Sequence, residues 1–488
     1  MPHARRGSTA QLRRPAASAR TARGQVLRAA GGSDGRADAG RRRRRDWQFA
    51  WRAGAGAAAA AALAALGRLR APRRIQGNEA LVVSASLFFV APAVMLLPLA
   101  GAGLSWMDAL FEAVSGVTTT GLSTVRHVSA RPAALLFARA WMQWYGGLGF
   151  LALAVALLTT PSVEARRLSL ADSDRDSLVG SARVHFRRVL AVYVALTAAG
   201  TGLLIALTVP PFAALLHALA AVSTGGFSSL DDSIAGLGGW GVRAAVTLVS
   251  LSGAISFTLY YRLLRRRWGE LWRHPEPAAL LVCALAAAGL LLLLARLTRP
   301  ESWGGDVGNA LAMAFSAQTT TGFATTGVAA LPAPSKLVLI AAMFIGGDLG
   351  STAGGIKLVR LLILLRLVAS LLRRTAVAPH AVVEPRLGGR RIVPDDAAAA
   401  MVVVALFAAL IAASWLPFLA AGYDPLDSLF DVVSATCTAG LSTGVTSASL
   451  PDLLKGVLCV DMWMGRLEPL ALLTILYPPT WLGRRAET

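Results

Sequence analysis

Charged residues are scarce in this chain. Asp, Glu, Lys and Arg make up 15% of its 488 residues, where a soluble domain carries about 25%. With 55% apolar residues beside them, that scarcity excludes an ordinary soluble protein of two to four domains. Cysteine is nearly absent. Cys283, Cys437 and Cys459 lie in or beside apolar stretches without Cys-x-x-Cys spacing, which excludes a zinc framework or a disulfide-stapled fold. Among the six histidines, His127, His185, His217 and His380 read as helix-end or surface residues, and none shares a motif with a nucleophile. Nothing therefore indicates a nucleophile and base pair. Acids are outnumbered, 27 against 48 basic residues, for a formal charge of +21. Thirteen Arg against Asp34, Asp38 and Asp46 give segment 1–46 a charge of +10 and leave +11 for the rest. This Ala-, Gly- and Arg-rich segment lacks aromatic interleaving and periodicity, so it reads as a disordered tail. Neither a nucleic-acid partner nor a secretory signal is expected from it.

What the chain has in abundance is apolar stretches long enough for a bilayer core. They run over about 80–100, 133–160, 189–210, 240–261, 277–297, 333–372 with an interruption, 397–420 and 453–477. A weaker Ala-rich stretch, 47–66, with a linker to 78, reads as an interfacial or incomplete helix. Between alternate pairs lie 106–118, 212–223, 307–319 and 425–437, too short to span. Each ends in small polar residues and Gly, the pattern of a re-entrant half-helix and loop. Segments 162–188, 262–276 and 366–391 hold seventeen Lys and Arg, against seven in 101–132, 225–243, 296–336 and 438–455. The basic set is cytoplasmic, so all four re-entrant segments enter from outside and Arg484 and Arg485 fall inside.

The strongest signal is internal repetition. At an offset of 319, Asp108–Thr124 overlies Asp427–Thr443 with ten of 17 positions identical. Weaker copies span His217–Ser229 and Ala312–Thr325. Self-similarity of this kind outranks single motifs as a guide to fold. Packing of membrane helices through small residues would instead spread them at spacings of four along continuous helices. The expected fold is an all-α polytopic membrane protein with four pseudo-symmetric helix–pore loop–helix repeats around one central pore. The repeats are 79–160, 189–264, 277–372 and 397–482.

The copies align four tetrads: Thr118-Thr119-Thr120-Gly121, Ser223-Thr224-Gly225-Gly226, Thr319-Thr320-Thr321-Gly322 and Cys437-Thr438-Ala439-Gly440. Thr is always second and Gly always fourth. Irregular backbone at membrane depth survives only where it lines water or is buried in protein, and Gly admits backbone angles closed to other residues. Four such loops on one axis form a ring of carbonyl dipoles able to replace the hydration shell of a monovalent cation. The tetrads contain no Asp or Glu, which disfavours a divalent site and favours K⁺-like ions. Asp108, Glu112, Asp427 and Asp431 have two readings: cation attraction at the entrance, or ordinary complementation of a half-helix N-terminus.

A run of five glycines in ten residues, from Gly346 to Gly355, interrupts the stretch 333–372 and breaks the helix inside the membrane. Gly350, Ser351, Thr352, Ala353, Gly354, Gly355 and Lys357 form a candidate gate beneath the filter; a passive kink is the structural alternative. Arg466 stands among apolar residues, where intramembrane charge faces a cavity or a partner. It reads as a positive barrier tempered by Glu468, or as half of an ion pair with Asp348 or Asp461.

These tetrads resemble the Trk/Ktr/HKT superfamily of potassium transporters, within it the bacterial Trk-type potassium-uptake membrane subunit. So do DALFEAVSGVTTTG from Asp108, QWYGGLGF from Gln143, YRLLR from Tyr261, GSTAGGIK from Gly350 and GRLE from Gly465. The resemblance covers 79–482. It implies K⁺ as the transported ion, one main K⁺ site bounded by Gly121, Gly226, Gly322 and Gly440, a gating loop in the third repeat, and Arg466 as positive barrier. It further implies a multi-pass protein of the bacterial inner membrane that is not an enzyme, a homodimer within membrane lipid, and a cytosolic nucleotide-binding regulatory ring as partner. In this superfamily Ser in place of the first filter Gly accompanies Na⁺ preference, and Gly121 is Gly. The two extra N-terminal helices general in Trk-type members are reduced here to 47–66.

Three competing functions remain from sequence alone: Na⁺ or mixed Na⁺/K⁺ transport on the same fold; a sensor that kept the fold without conduction; and a metal-dependent lipid-phosphate enzyme using Asp172, Asp174 and Asp176. K⁺ movement itself could be channel-like or cation-coupled.

Overall fold

A computed structural model describes residues 77–158, 178–264, 274–298, 306–376 and 384–467, together with the isolated Gly54. The tail 1–46, the stretch 47–66 apart from Gly54, the Asp172–Asp176 cluster, His380, Glu468 and everything after it lie outside the described residues.

Four units follow one another, each a long helix, a half-helix and a returning stretch, the return being two helices in the second and third. The first is α1 (Gly77–Gly101), α2 (Trp106–Val117) and α3 (Ala133–Leu158). The second is α4 (Leu178–Ala206), α5 (Pro211–Val222), α6 (Trp240–Ala254) and α7 (Phe257–Leu264). The third is α8 (Pro275–Thr298), α9 (Asp306–Gln318), α10 (Ala333–Ile345) and α11 (Leu358–Thr375). The fourth is α12 (Pro394–Ala420), α13 (Pro425–Thr436) and α14 (Asp452–Leu467).

Apolar spans Val184–Ala206, Pro275–Leu297 and Pro394–Ala420 are long enough to cross a membrane, and each turns large apolar side chains outward: Leu203, Val282 and Leu416 are exposed. The chain is a multi-pass membrane protein. Its half-helices α2, α5, α9 and α13 have only 12 or 13 residues, about 18–20 Å at 1.5 Å per residue, too short for a core of about 30 Å. Their starts are locally encoded. The Ser105 hydroxyl accepts from Asp108 N ahead of α2, and the Asp424 carboxylate accepts from Leu426 N and Asp427 N ahead of α13, the side-chain caps that orphan N-terminal amides require. Phe111, Val114, Phe430 and Val433 bury the half-helices in the principal core.

Several boundaries differ from expectation. The second unit begins at Leu178, not 189, because α4 continues past the apolar stretch. The stretch 240–261 is two helices, and the reason is tertiary: the Gly-rich loop of the third unit takes the backbone groups at the break. Ser256 N donates to Asp348 Oδ2 at 3.0 Å, Phe257 N to Gly350 O at 3.2 Å, and Thr352 N to Gly253 O at 3.1 Å. The basic segment 366–391 is partly helical to Thr375, and Arg386–Leu387 pairs antiparallel with Arg390–Arg391, the one two-stranded ribbon among the described residues.

The outer loops of the first two units are tied by exposed Asp231, which accepts from Val128 N at 2.6 Å and from the Ser129 hydroxyl. The Ser129 hydrogen bond, with the Val128 and Ser129 amides and nearby His127, holds this carboxyl below its ordinary 3.8. A depressed carboxyl contributes stability above its unfolded value and loses it as pH falls through the folded one. Acidification below that range is therefore expected to speed hydrogen exchange at the Val128 amide while leaving the helix cores protected.

Candidate functional site

Each half-helix ends the same way, and its ending builds the site. In the first unit Thr119 N donates to Gly116 O at 3.0 Å and Thr120 N to Ser115 O at 2.9 Å. This paired closure is a Schellman motif, whose C′ residue takes the left-handed conformation and is usually Gly. Here that residue is Thr in every unit: Thr119, Thr224, Thr320 and Thr438 have φ of 55°, 51°, 51° and 49°. The same two bonds recur at Thr224 and Gly225, Thr320 and Thr321, and Thr438 and Ala439. A β-branched residue with positive φ is a genuine outlier, and four equivalent ones mark stored strain at a functional place.

Two residues on, Gly121, Gly226, Gly322 and Gly440 have φ between 76° and 93°. A Cβ on each would strike a third-position carbonyl of the next unit: Gly121 that of Gly225, Gly226 that of Thr321, Gly322 that of Ala439, and Gly440 that of Thr120. These contacts close a ring, first unit to second, third, fourth and back. All sixteen tetrad positions are thus gathered at one axis, and all but Gly121, Gly322 and Gly440, which are partly exposed, are buried.

The Gly-rich loop seats against the deep end of that ring. Gly354 N donates to Thr320 Oγ1 at 2.6 Å, Gly355 N to Cys437 O at 3.1 Å, and Thr352 Oγ1 lies 3.3 Å from Thr224 Oγ1. A Cβ on Gly354 would collide with Cys437 O and Thr438 Oγ1, so the approach needs glycine. The half-helices approach the ring from one side and the chain leaves the tetrads toward that same side, so the loop lies on the opposite, deep side. Arg466 Nη1 donates to Thr352 O at 2.7 Å; its guanidinium lies 4.2 Å from the Phe150 ring centroid, and Lys357 Nζ lies 4.9 Å from the same ring. The Lys357 ammonium also donates to Ala353 O. Arg466 pairs with neither Asp348 nor Asp461: Asp348 holds the Ser256 amide, and Asp461 accepts from Ser414 Oγ at 2.5 Å.

The four entrance acids are all engaged. Glu112 pairs with buried Arg139 at 3.0 Å, Asp108 with Lys455 at 2.8 Å, and Asp427 with Lys336 at 2.5 Å. Asp431 accepts from Ser442 Oγ and from the Thr443 and Thr446 amides. Asp108 and Asp427 lie in the first turns of their half-helices, whereas Glu112 and Asp431 lie in mid-helix and hold the returning chain instead of complementing an N-terminus. Lys336 and Lys455 each tie one unit's returning helix to the next unit's half-helix. Lys336→Met is expected to lower stability by about 1.5–3 kcal/mol, the scale of a hydrogen bond to a charged group, seen as a lower unfolding temperature in detergent.

Sequence reasoning missed several residues. Arg139 also donates to Ser228 O and Ser123 Oγ and lies 4.0 Å from the Phe227 ring centroid; a lone Arg in an apolar stretch was the available signal. Gln143 donates from Nε2 to Gly225 O at 2.5 Å and accepts from Phe227 N at 3.0 Å, which clasps the second tetrad. His217, expected at a surface or helix end, is fully buried in α5.

Four strained turns meeting on one axis, with a loop closing their inner end, define an ion-pathway class of helical membrane protein. The chain belongs to the TrkH family of cation transport proteins, whose model matches residues 58–478. It is similar to the Trk system potassium uptake protein TrkH of Salmonella typhimurium, 30% identical over 78% of this chain and 80% of that protein. An uncharacterized cation transporter of Methanocaldococcus jannaschii is 27% identical over 84% of both chains. The crystal structure of the potassium transporter TrkH from Vibrio parahaemolyticus matches with a TM-score of 0.73 at 28% identity, covering 84% of this chain and 87% of that one.

Proposed function

We propose that this protein carries K⁺ into the cell through the ring of tetrads, which acts as a carbonyl selectivity filter with Gly346–Lys357 as its gate. The single observation that supports this most is the cyclic contact of each fourth-position Gly with the next unit's third-position carbonyl. Neutral carbonyls without a carboxylate in the ring suit a weakly hydrated monovalent ion. The relatives' names carry the same ion: potassium uptake for the Salmonella protein and potassium transport for the Vibrio one.

The basic inner segments, including exposed Arg386 and Arg391 of the ribbon, which share Glu384 as partner, support docking of a cytosolic nucleotide-binding ring, and a homodimer in the membrane completes the assembly. Purified protein in proteoliposomes should move K⁺ faster than Na⁺ down equal gradients, and its gene should restore low-K⁺ growth to cells deficient in potassium uptake. No K⁺ flux in either assay would overturn the reading.

A further inference from the structure

One position recurs in the four half-helices with four different side chains and one task. Six residues before each tetrad stand Glu112, His217, Met313 and Asp431, all buried. Each reaches the chain just outside its own filter loop. Glu112 Oε1 accepts from Ser123 Oγ at 2.5 Å and from Thr124 N at 2.9 Å. His217 Nδ1 lies 2.8 Å from Ala213 O and must carry its hydrogen there, which leaves Nε2 to accept from the Ser228 hydroxyl at 3.1 Å. Asp431 accepts from Ser442 Oγ at 2.7 Å, Thr443 N at 2.8 Å and Thr446 N at 2.7 Å. Met313 offers only its sulfur, 3.5 Å from Thr325 N, a weak acceptor.

The partners begin two or three residues beyond Gly121, Gly226, Gly322 and Gly440. Each tetrad is therefore clamped twice to its own half-helix, by the Schellman closure on the inner side and by this latch on the outer side. A segment held at both ends within a few residues cannot move its carbonyls toward the axis without breaking one hold.

We infer that Glu112, His217 and Asp431 are positioning residues that set the radius of the carbonyl ring, and that the third quadrant, where Met313 offers only its sulfur, is the compliant one. The inference rests on the tetrads being a K⁺ filter. A ring kept from contracting withholds the closer coordination that Na⁺ needs, so the latches set ion preference without touching the ion.

The test is paired K⁺ and Na⁺ flux in proteoliposomes for the unmodified protein, Asp431→Asn, Ser228→Ala and Met313→Leu. Asp431→Asn places an amide donor among amide donors and should lower the K⁺/Na⁺ flux ratio about tenfold and raise the half-saturating K⁺ concentration, the scale of one charged hydrogen bond. Ser228→Ala removes the hydroxyl that His217 holds, along with its contacts to Leu230 N and Ser233 O in the same outer loop; it should lower the ratio severalfold and supplies the result if Asp431→Asn does not assemble. Met313→Leu should stay within about twofold of the unmodified protein, having lost a weak acceptor alone. An unchanged ratio in folded Asp431→Asn or Ser228→Ala, or a fall in Met313→Leu as large as theirs, overturns the inference. Absence of flux in the unmodified protein would overturn the potassium reading beneath it instead.

Discussion

Gly121→Ser is expected to weaken K⁺ uptake by roughly 5- to 150-fold and to compress the preference for K⁺ over Na⁺. The range follows from about 1–3 kcal/mol for forcing a non-glycine residue into a sparsely populated backbone region, converted at tenfold per 1.4 kcal/mol. Gly121 has φ of 93°, and its added Cβ would land on Gly225 O, a ring member. Relief requires either Gly121 to leave its angle or the second unit's carbonyl to leave the axis, and both change the ring. Gln143 holds that carbonyl from behind through Nε2, which closes the easier escape. Gly202→Ala serves as the control, since a Cβ there meets nothing within 4 Å, and it should transport normally. Flux of both ions into proteoliposomes measures the effect; a Gly121→Ser protein with unaltered K⁺ and Na⁺ rates would show that the ring does not set conduction.

The axis was legible in the sequence because it is written four times. Thr in second place and Gly in fourth are local requirements of one backbone path, a left-handed cap residue followed by a close approach, and they survive where the surrounding letters drift. The latches were not legible as a set. Glu112 and Asp431 were visible as acids and read as helix-end charges, while His217 and Met313 share no chemistry with them; only coordinates show the four in one place. The break between α6 and α7 was hidden for another reason. Its cause is the third unit's loop capturing Gly253, Ser256 and Phe257 backbone groups, and no local propensity records a contact with residues about ninety positions away. QWYGGLGF entered only as part of a family resemblance, since Phe150 as the face shared by Lys357 and Arg466 depends on three distant segments meeting.

That shared face yields the second large effect. Arg466→Ala is expected to raise K⁺ flux at least tenfold. Arg466 fastens the loop through its bond to Thr352 O at 2.7 Å and anchors itself on Phe150. A hydrogen bond from a charged donor contributes about 1.5–3 kcal/mol and a desolvated cation on an aromatic face about 0.5–2 kcal/mol. Their joint loss, about 2–5 kcal/mol, shifts the balance between seated and displaced loop by roughly 30-fold or more. The charge itself acts in the same direction, since a cation buried just inside the filter repels the next one to leave it. Phe150→Leu keeps both charges and removes only the ring, so its flux should rise less, by severalfold. Deleting Gly350–Gly354 removes the obstruction outright and should match or exceed Arg466→Ala. The order matters more than any single value. If the loop were a passive kink, the deletion and Arg466→Ala would leave flux unchanged or lower it in protein that still folds, while a gate requires flux to climb from Phe150→Leu to Arg466→Ala to the deletion.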